Sequence, residues 1–260
     1  MIRKTLIAAA TLATLATGAF AQDKLRIGVE GAYPPFSFKQ ADGSLAGFDI
    51  DIAMALCAEM KRDCELVEQD WDGMIPALKA KKFDAIVASM SITEERKRQI
   101  DFSAKYYKTP ARVVAKKDSG LEGTATGLAG KRLGVQRGST HQCCAEKMFP
   151  EAEIVLYGTQ EEVFSDLALG RIDAQLSDSL ISQESFLSKP EGADFAFLAG
   201  DHTDVDCYGE GVGIAVRQGE EELRDAFSAA ITAIRDNGTY KTVNDKYFPF
   251  DIYGGRPDGM

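Results

Sequence analysis

Apolar positions along this chain come in two alternating rhythms. Leu25 to Val29 and Glu65 to Gln69 read as strands, and Phe83-Asp84-Ala85-Ile86-Val87-Ala88 is a short, nearly continuous apolar run of the kind buried parallel strands show. Between them Phe48, Ile52, Leu56 and Met60 repeat at helical spacing, which predicts a helix from Asp49 to Met60, and Asp72 to Lys79 opens a second helix. The same order then recurs. Lys131 to Val135 is a strand that enters a helix through Gly138-Ser139-Thr140, Glu153 to Tyr157 is a strand, Gln160 to Leu169 a helix, and Arg171 to Leu176 a strand. Such alternation predicts an α/β fold of two lobes, each a mostly parallel sheet flanked by helices, and argues against a sandwich or a bundle. Lys82-Phe83-Asp84-Ala85 and Arg171-Ile172-Asp173-Ala174 share the order basic, apolar, Asp, Ala before the last strand, a sign of similar topology in both lobes.

The first residues add a compartment. Arg3 and Lys4 precede an apolar run from Leu6 to Leu15 that ends in Ala19-Phe20-Ala21, the pattern of a secretory signal peptide over residues 1–21 with cleavage near Ala21 and Gln22. That run is too short to span a bilayer, no later segment approaches the needed length, and no cysteine stands at the cleavage point to carry a lipid. The chain has 260 residues with 30 Lys and Arg against 40 Asp and Glu, so nucleic acid is not an expected partner and cationic ligands are mildly favoured. Five cysteines in an exported chain leave at least one unpaired. Cys57 and Cys64 are the expected disulfide, because a short loop between helix and strand separates them; the pairing of Cys143, Cys144 and Cys207 stays open.

In open α/β sheets ligands bind beyond the carboxyl ends of the strands, so two facing lobes would share a cleft lined from those ends. Gly138-Ser139-Thr140 opens a helix whose free N–H groups suit an anion, although an ordinary N-cap looks the same. Ser89 and Ser91 leave the third strand ahead of Arg96, whose planar fork of donors matches a carboxylate; its plain alternative is a surface ion pair with Glu94 or Glu95. Tyr33 and Trp71 lie past two neighbouring strands, where their rings could face each other around a cationic stem, unless they are simply core. Glu30 would set a negative charge at the same edge, and Asp178, at the end of the last strand of the second lobe, could pair with an ammonium. No nucleophile and base stand together. His141 and His202 show no metal-ligand spacing, and Asp201-His202-Thr203-Asp204 reads as a solvated loop.

Taken together, Gly47-Phe48-Asp49-Ile50-Asp51, Cys57 with Cys64, Trp71-Asp72-Gly73-Met74-Ile75-Pro76-Ala77-Leu78, Phe83-Asp84-Ala85-Ile86, Ser91-Ile92-Thr93-Glu94-Glu95-Arg96, Gly138-Ser139-Thr140, Gly170-Arg171-Ile172-Asp173-Ala174 and Asp236-Asn237-Gly238-Thr239-Tyr240 are specific. Over essentially the whole mature chain they resemble the family 3 periplasmic solute-binding proteins of amino-acid ABC transporters, most closely the lysine/arginine/ornithine, histidine and opine binding group. The resemblance implies a two-lobed periplasmic binding protein fold joined by two hinge strands. Lobe 1 would comprise 22–110 and 210–260 and lobe 2 111–209, with crossovers near Thr109 to Arg112 and Tyr208 to Gly211. It implies a periplasmic monomer without cofactor, metal or catalysis that carries a cationic amino acid to an inner-membrane permease. In that likeness Arg96, with N–H groups near Ser91 and Thr140, takes the α-carboxylate, Asp178 the α-ammonium, Tyr33 and Trp71 the side chain and Glu30 its distal charge. Ala88, Ser89, Gln136 and Ser139 line the remaining pocket, and His141 stands where Gln or a small residue is usual. The competing readings are a periplasmic dehydratase-type enzyme, with Glu30 or His141 as its acid/base group, a ligand-sensing domain, and an opine or polar amino acid as ligand.

Overall fold

The computed structural model describes residues 24–254, and the signal peptide expected over 1–21 lies outside them. In chain order the elements are β1 (Leu25–Val29), β2 (Ala32–Tyr33), β3 (Ser37–Lys39), β4 (Leu45–Ala46), α1 (Phe48–Glu59), β5 (Cys64–Glu68), α2 (Met74–Lys79), β6 (Ala85–Ile86), α3 (Glu94–Lys97), β7 (Ile100–Tyr107) and β8 (Ala111–Lys116). They continue as β9 (Arg132–Gln136), α4 (Thr140–Met148), β10 (Glu153–Tyr157), α5 (Gln160–Ala168), β11 (Ala174–Asp178), α6 (Ser179–Ser182), β12 (Phe195–Phe197), α7 (Val205–Tyr208), β13 (Val212–Arg217), α8 (Glu221–Asp236) and α9 (Thr239–Tyr247). Among the described residues no helix is long and apolar enough to cross a membrane.

Two five-stranded sheets carry the two lobes, in the orders β5-β1-β6-β13-β7 and β10-β9-β11-β8-β12. Each is parallel except for one strand. β13 runs against both β6 and β7, and β8 runs against both β11 and β12. Each reversed strand is the one that has just arrived from the other sheet, which periodicity within a single lobe does not reveal. The chain leaves the first sheet after Tyr107 and enters the second at Ala111; it returns through 209–211, between α7 and β13. Helices α8 and α9 then pack against α1 on the first lobe. The 16-residue α8 does so with Phe227, Ala230, Ile231 and Ile234, one apolar stripe at helical spacing.

The repeated order basic, apolar, Asp, Ala has a structural cause. In the first lobe Asp84 accepts from the backbone N–H and guanidinium of Arg26 at 2.9–3.1 Å, and in the second Asp173 accepts in the same way from Arg132 at 2.8–3.2 Å. The preceding apolar residue covers a glycine two positions beyond the arginine. A Cβ on Gly28 would fall 2.7 Å from the Phe83 ring, and one on Gly134 would fall 2.4 Å from Ile172, so both strands need a bare backbone there. The strands that follow the clamp are shorter than their apolar runs. The run expected over Phe83 to Ala88 pairs as a strand only at Ala85–Ile86, with flanking backbone bonds from Asp84 N–H to Arg26 and from Val87 N–H to Gly28, and the one expected from Arg171 begins at Ala174. The helix expected from Asp72 likewise starts as a 3₁₀ turn over Trp71–Gly73 before α2. Cys57 and Cys64 form the expected disulfide, joining α1 to β5, with an S–S length of 2.05 Å.

Candidate functional site

The carboxyl ends of β1, β6, β9 and β11 converge on one cleft between the lobes. The first lobe lines it with Glu30, Tyr33, Trp71, Ala88, Ser89, Ser91 and Arg96, and the second with Gln136, Ser139, Thr140, His141 and Asp178. All the positions nominated from the sequence are thus brought together, and the remaining question is what each can do there.

Arg96 is buried, and its place is set by a cap: Thr93 Oγ1 accepts from the Arg96 N–H at 3.2 Å and starts α3. Its guanidinium donates to the Ser91 carbonyl at 3.0 Å and, across the cleft, to the Gly138 carbonyl at 3.3 Å, and it lies 5.3 Å from the centre of the Trp71 ring. The ion pair with Glu94 or Glu95 does not form. Glu94 bonds Lys97 instead, and among the described residues no carboxylate reaches ion-pair distance of Arg96. Burial lowers its pKa to about 10, which leaves it a cation at neutral pH. Opposite stands the start of α4. Ser139 is its N-cap, accepting from Gln142 N–H at 3.2 Å, so the capping alternative is correct; Thr140, the first helical residue, still presents an N–H that has no intrahelical acceptor. A buried arginine facing a helix N-terminus sets two positive ends toward one space, an arrangement that suits an anion.

Asp178 supplies the opposite sign. It ends β11, caps α6 by accepting from Leu180 N–H at 2.8 Å, and receives the Thr109 hydroxyl from the first crossover. Burial raises its pKa to about 6, against the lowering by those hydrogen bonds. Glu30, just past β1, is 5% exposed and meets Gln136 from the other lobe, whose Nε2 donates to Oε1 at 2.6 Å. Burial raises Glu30 to about 7; the Gln136 bond opposes that rise, and the charges of Asp49, Asp70 and Asp72 reinforce it. Closing this cleft around a bare carboxylate therefore carries an electrostatic cost that a bound cation removes.

The aromatic pair behaves differently from a simple sandwich of loop residues. Tyr33 lies on β2, part of a small antiparallel sheet with β3 and β4; its ring packs on Phe36 at 5.9 Å and belongs to the core, so one face of the core reading holds. Trp71 is half-buried and spends its ring on Arg96. Ser89 also differs from a plain ligand hydroxyl. Ser89 has a left-handed backbone, φ 53°, and its Oγ donates to Asp49 Oδ2 at 2.9 Å, while the Tyr106 hydroxyl donates to Asp49 Oδ1 at 2.7 Å. Asp49, read from the sequence only as a helix start, thus anchors the exit of β6. His141 is half-buried, and desolvation with the nearby Arg96 charge lowers it to about 3, so at neutral pH it is an uncharged imidazole 5.8 Å from the Tyr208 ring. Asp201, Thr203 and Asp204 are exposed in an irregular segment, as the solvated-loop reading expects; within it His202 is half-buried, bridges Ala111 through its backbone and sets its ring edge-on to Phe149. Among the described residues no cluster could hold a metal.

Sequence reasoning missed the crossover residues that also line the cleft, Tyr107, Lys108, Thr109, Tyr208, Gly211 and Val212. The crossovers were expected near Thr109 to Arg112 and Tyr208 to Gly211, but the lining was taken from strand ends alone; a segment that passes between two facing lobes borders their cleft.

The model of the bacterial extracellular solute-binding proteins, family 3, matches residues 25–250. The chain belongs to this family. Among its relatives the L-arginine-binding protein of Pseudomonas aeruginosa is 51% identical over 257 residues, covering 98% of this chain and 99% of that one. The lysine/arginine/ornithine-binding periplasmic protein of Escherichia coli is 40% identical over 97% of this chain and 100% of the other. A solved Salmonella typhimurium periplasmic binding protein, described for its high arginine specificity, superposes with a TM-score of 0.80 at 33% identity and covers 86% of this chain and 99% of its own. The lining of the cleft carries both signs of charge.

Proposed function

We propose that this family 3 protein binds a free cationic L-amino acid, arginine or its relatives ornithine and lysine and with them histidine, in the periplasm, as a monomer, for delivery to an inner-membrane ABC permease. The observation that carries the reading is a pair of buried, opposite charges on opposite lobes of one cleft, Arg96 and Asp178, with the buried acid Glu30 lining the same space. A zwitterion has a matching polarity: its carboxylate meets the Arg96 fork and the start of α4, and its α-ammonium meets Asp178. The side chain then runs beside Tyr33 and Trp71, and its far cation replaces the Gln136 amide as the partner of Glu30. We infer that residues 22–110 with 210–260, and 111–209, move as the two units. Only a ligand touching both lobes favours the closed arrangement, since a ligand shifts an equilibrium no further than its differential affinity. The identities of the relatives support the same ligand class.

The test is titration calorimetry on protein stripped of co-purified solute by unfolding and refolding. Arginine, ornithine or lysine is expected to bind at micromolar concentration or tighter, with glutamine weaker. Absence of binding to every basic amino acid overturns the assignment, and turnover of an aromatic amino-acid precursor would favour the dehydratase reading.

A further inference from the structure

Three cysteines stand outside the Cys57–Cys64 bridge, and the fold gathers them at one corner of the second lobe. Cys143 and Cys144 lie on α4, Cys207 lies on α7, and those helices pack on each other. Cys144 and Cys207 are buried in one apolar cluster, beside Ala145 and Phe149, whereas Cys143 is exposed. The two buried thiols are within hydrogen-bonding reach of each other, and the Tyr208 hydroxyl sits against Cys144. That hydroxyl is itself buried without a normal hydrogen-bond partner among the described residues. Two small apolar residues would fill the cluster equally well, so packing alone does not call for two sulfurs in contact.

We propose that Cys144 and Cys207 form a second disulfide, made by exchange with a disulfide of the surrounding oxidising compartment. One thiolate attacks the external disulfide, expels one thiol and leaves a mixed disulfide; the second cysteine attacks that bond and expels the other thiol. Each cysteine loses a proton, the protein gives up two electrons, and the external disulfide leaves as two thiols. Burial raises the Cys144 thiol well above its ordinary value, so thiolate is scarce once the helices are packed. The exchange therefore belongs to folding or to transient opening of α7, and Cys143 remains a thiol.

The position gives the bond a consequence. Helix α4 begins at Thr140 and His141 in the cleft, and α7 ends at Tyr208, which also lines the cleft and directly precedes the return crossover over 209–211. A bridge ties that crossover to the anion-receiving end of the site, whatever solute the site takes.

The experiment uses the exported full-length protein, purified without reductant, then denatured in excess N-ethylmaleimide and weighed. One adduct is expected, against three if all the remaining cysteines are thiols. A second sample, reduced and refolded in oxidised glutathione, should regain the one-adduct state and, before alkylation, lose the mass of four hydrogens relative to the fully reduced chain, two for Cys57–Cys64 and two for the second bridge. Because Cys143 and Cys144 share a tryptic peptide, C143S is expected to keep the linkage to the Cys207 peptide and C144S to lose it. Three adducts in both samples, or a linkage that survives C144S, overturns the proposal. These readouts come from denatured chains, so a poorly folding variant does not blur them. In the oxidised wild type the thermal midpoint should exceed that of C207A by about 5–10 °C, and equal midpoints would refute the tie between crossover and helix.

Discussion

The first lobe opens with Arg26-Ile27-Gly28-Val29-Glu30 and the second with Arg132-Leu133-Gly134-Val135-Gln136. Four of those positions do the same work in both places: an arginine clamped by an aspartate, an apolar filler, a glycine under a packed side chain, and a buried valine. The fifth differs. Glu30 and Gln136 leave equivalent strands and meet across the cleft at 2.6 Å, one as carboxylate and the other as amide. The scaffold is therefore shared while the chemistry at the strand ends diverges. Lobe one supplies a cationic fork, an indole and an acid on long side chains; lobe two supplies a helix N-terminus, an amide and Asp178, which is itself held by a cap and by Thr109 from the crossover. On the proposed reading, the second lobe recognises what all amino acids share together with Arg96, and the first lobe reads the side chain.

The largest effect that tests this division is expected from Arg96→Ala. It removes a buried, charge-bearing partner of the carboxylate, a change that costs about 2–5 kcal/mol, so affinity should fall by roughly 10³-fold for every amino acid tested by calorimetry. A loss confined to basic ligands would break the assignment. Next comes Glu30→Gln, which keeps shape and hydrogen bonding but removes one charge. Arginine, ornithine and lysine should weaken by about 30- to 100-fold, a cost of about 2–3 kcal/mol, while glutamine holds its affinity. Equal losses for neutral and basic ligands would show that Glu30 does not read the distal charge.

How much of this was legible in the chain depended on whether the signal was local. Strands β1, β5, β9 and β10 came from short apolar stretches, and α1 from helical spacing; the capping box that Thr159 and Glu162 form at the start of α5 was a local signal left unused. The cleft residues were legible because they sit just beyond those strands, where open α/β sheets bind ligands. What escaped depends on partners far away in sequence. Asp49 is bound to Ser89 and Tyr106, 40 and 57 residues on, and nothing near Asp49 announces it. Ser89, expected to line the pocket, does so, but its hydroxyl is held by that carboxylate. Strands β8 and β13 are apolar enough to be strands, but their reversed direction follows from crossing between lobes, which no periodicity encodes.

A smaller effect comes from pH. Burial raises Glu30 from 4.5 to about 7, so between those values the closed cleft holds a proton that a cationic ligand must expel. Because the pKa is raised and not lowered, the acid weakens unliganded closure above pH 7 and ceases to do so below about 4.5. Arginine affinity should accordingly rise with pH up to about 7, by at most about tenfold per unit, and then flatten; Asp178, raised to about 6, adds a change of the same sign. Calorimetry at pH 6.5 in two buffers of different ionisation heat should detect proton release on binding, and Glu30→Gln should reduce it. Identical heats in both buffers would mean that the carboxylate is already charged.

The smallest effect tests the other half of the facing pair. Gln136 donates to Glu30 and, more weakly, to the Gly158 carbonyl at 3.3 Å. If the amide only holds the acid in place until a cation arrives, Gln136→Ala removes a hydrogen bond worth about 1 kcal/mol, and basic ligands should lose no more than about fivefold in affinity. The unliganded variant should also open more readily, seen as a larger radius of gyration in X-ray scattering that returns to the wild-type value with arginine. A loss as great as that of Glu30→Gln would make the two strand ends equal partners in reading the side chain, and the division of labour between the lobes would have to be redrawn.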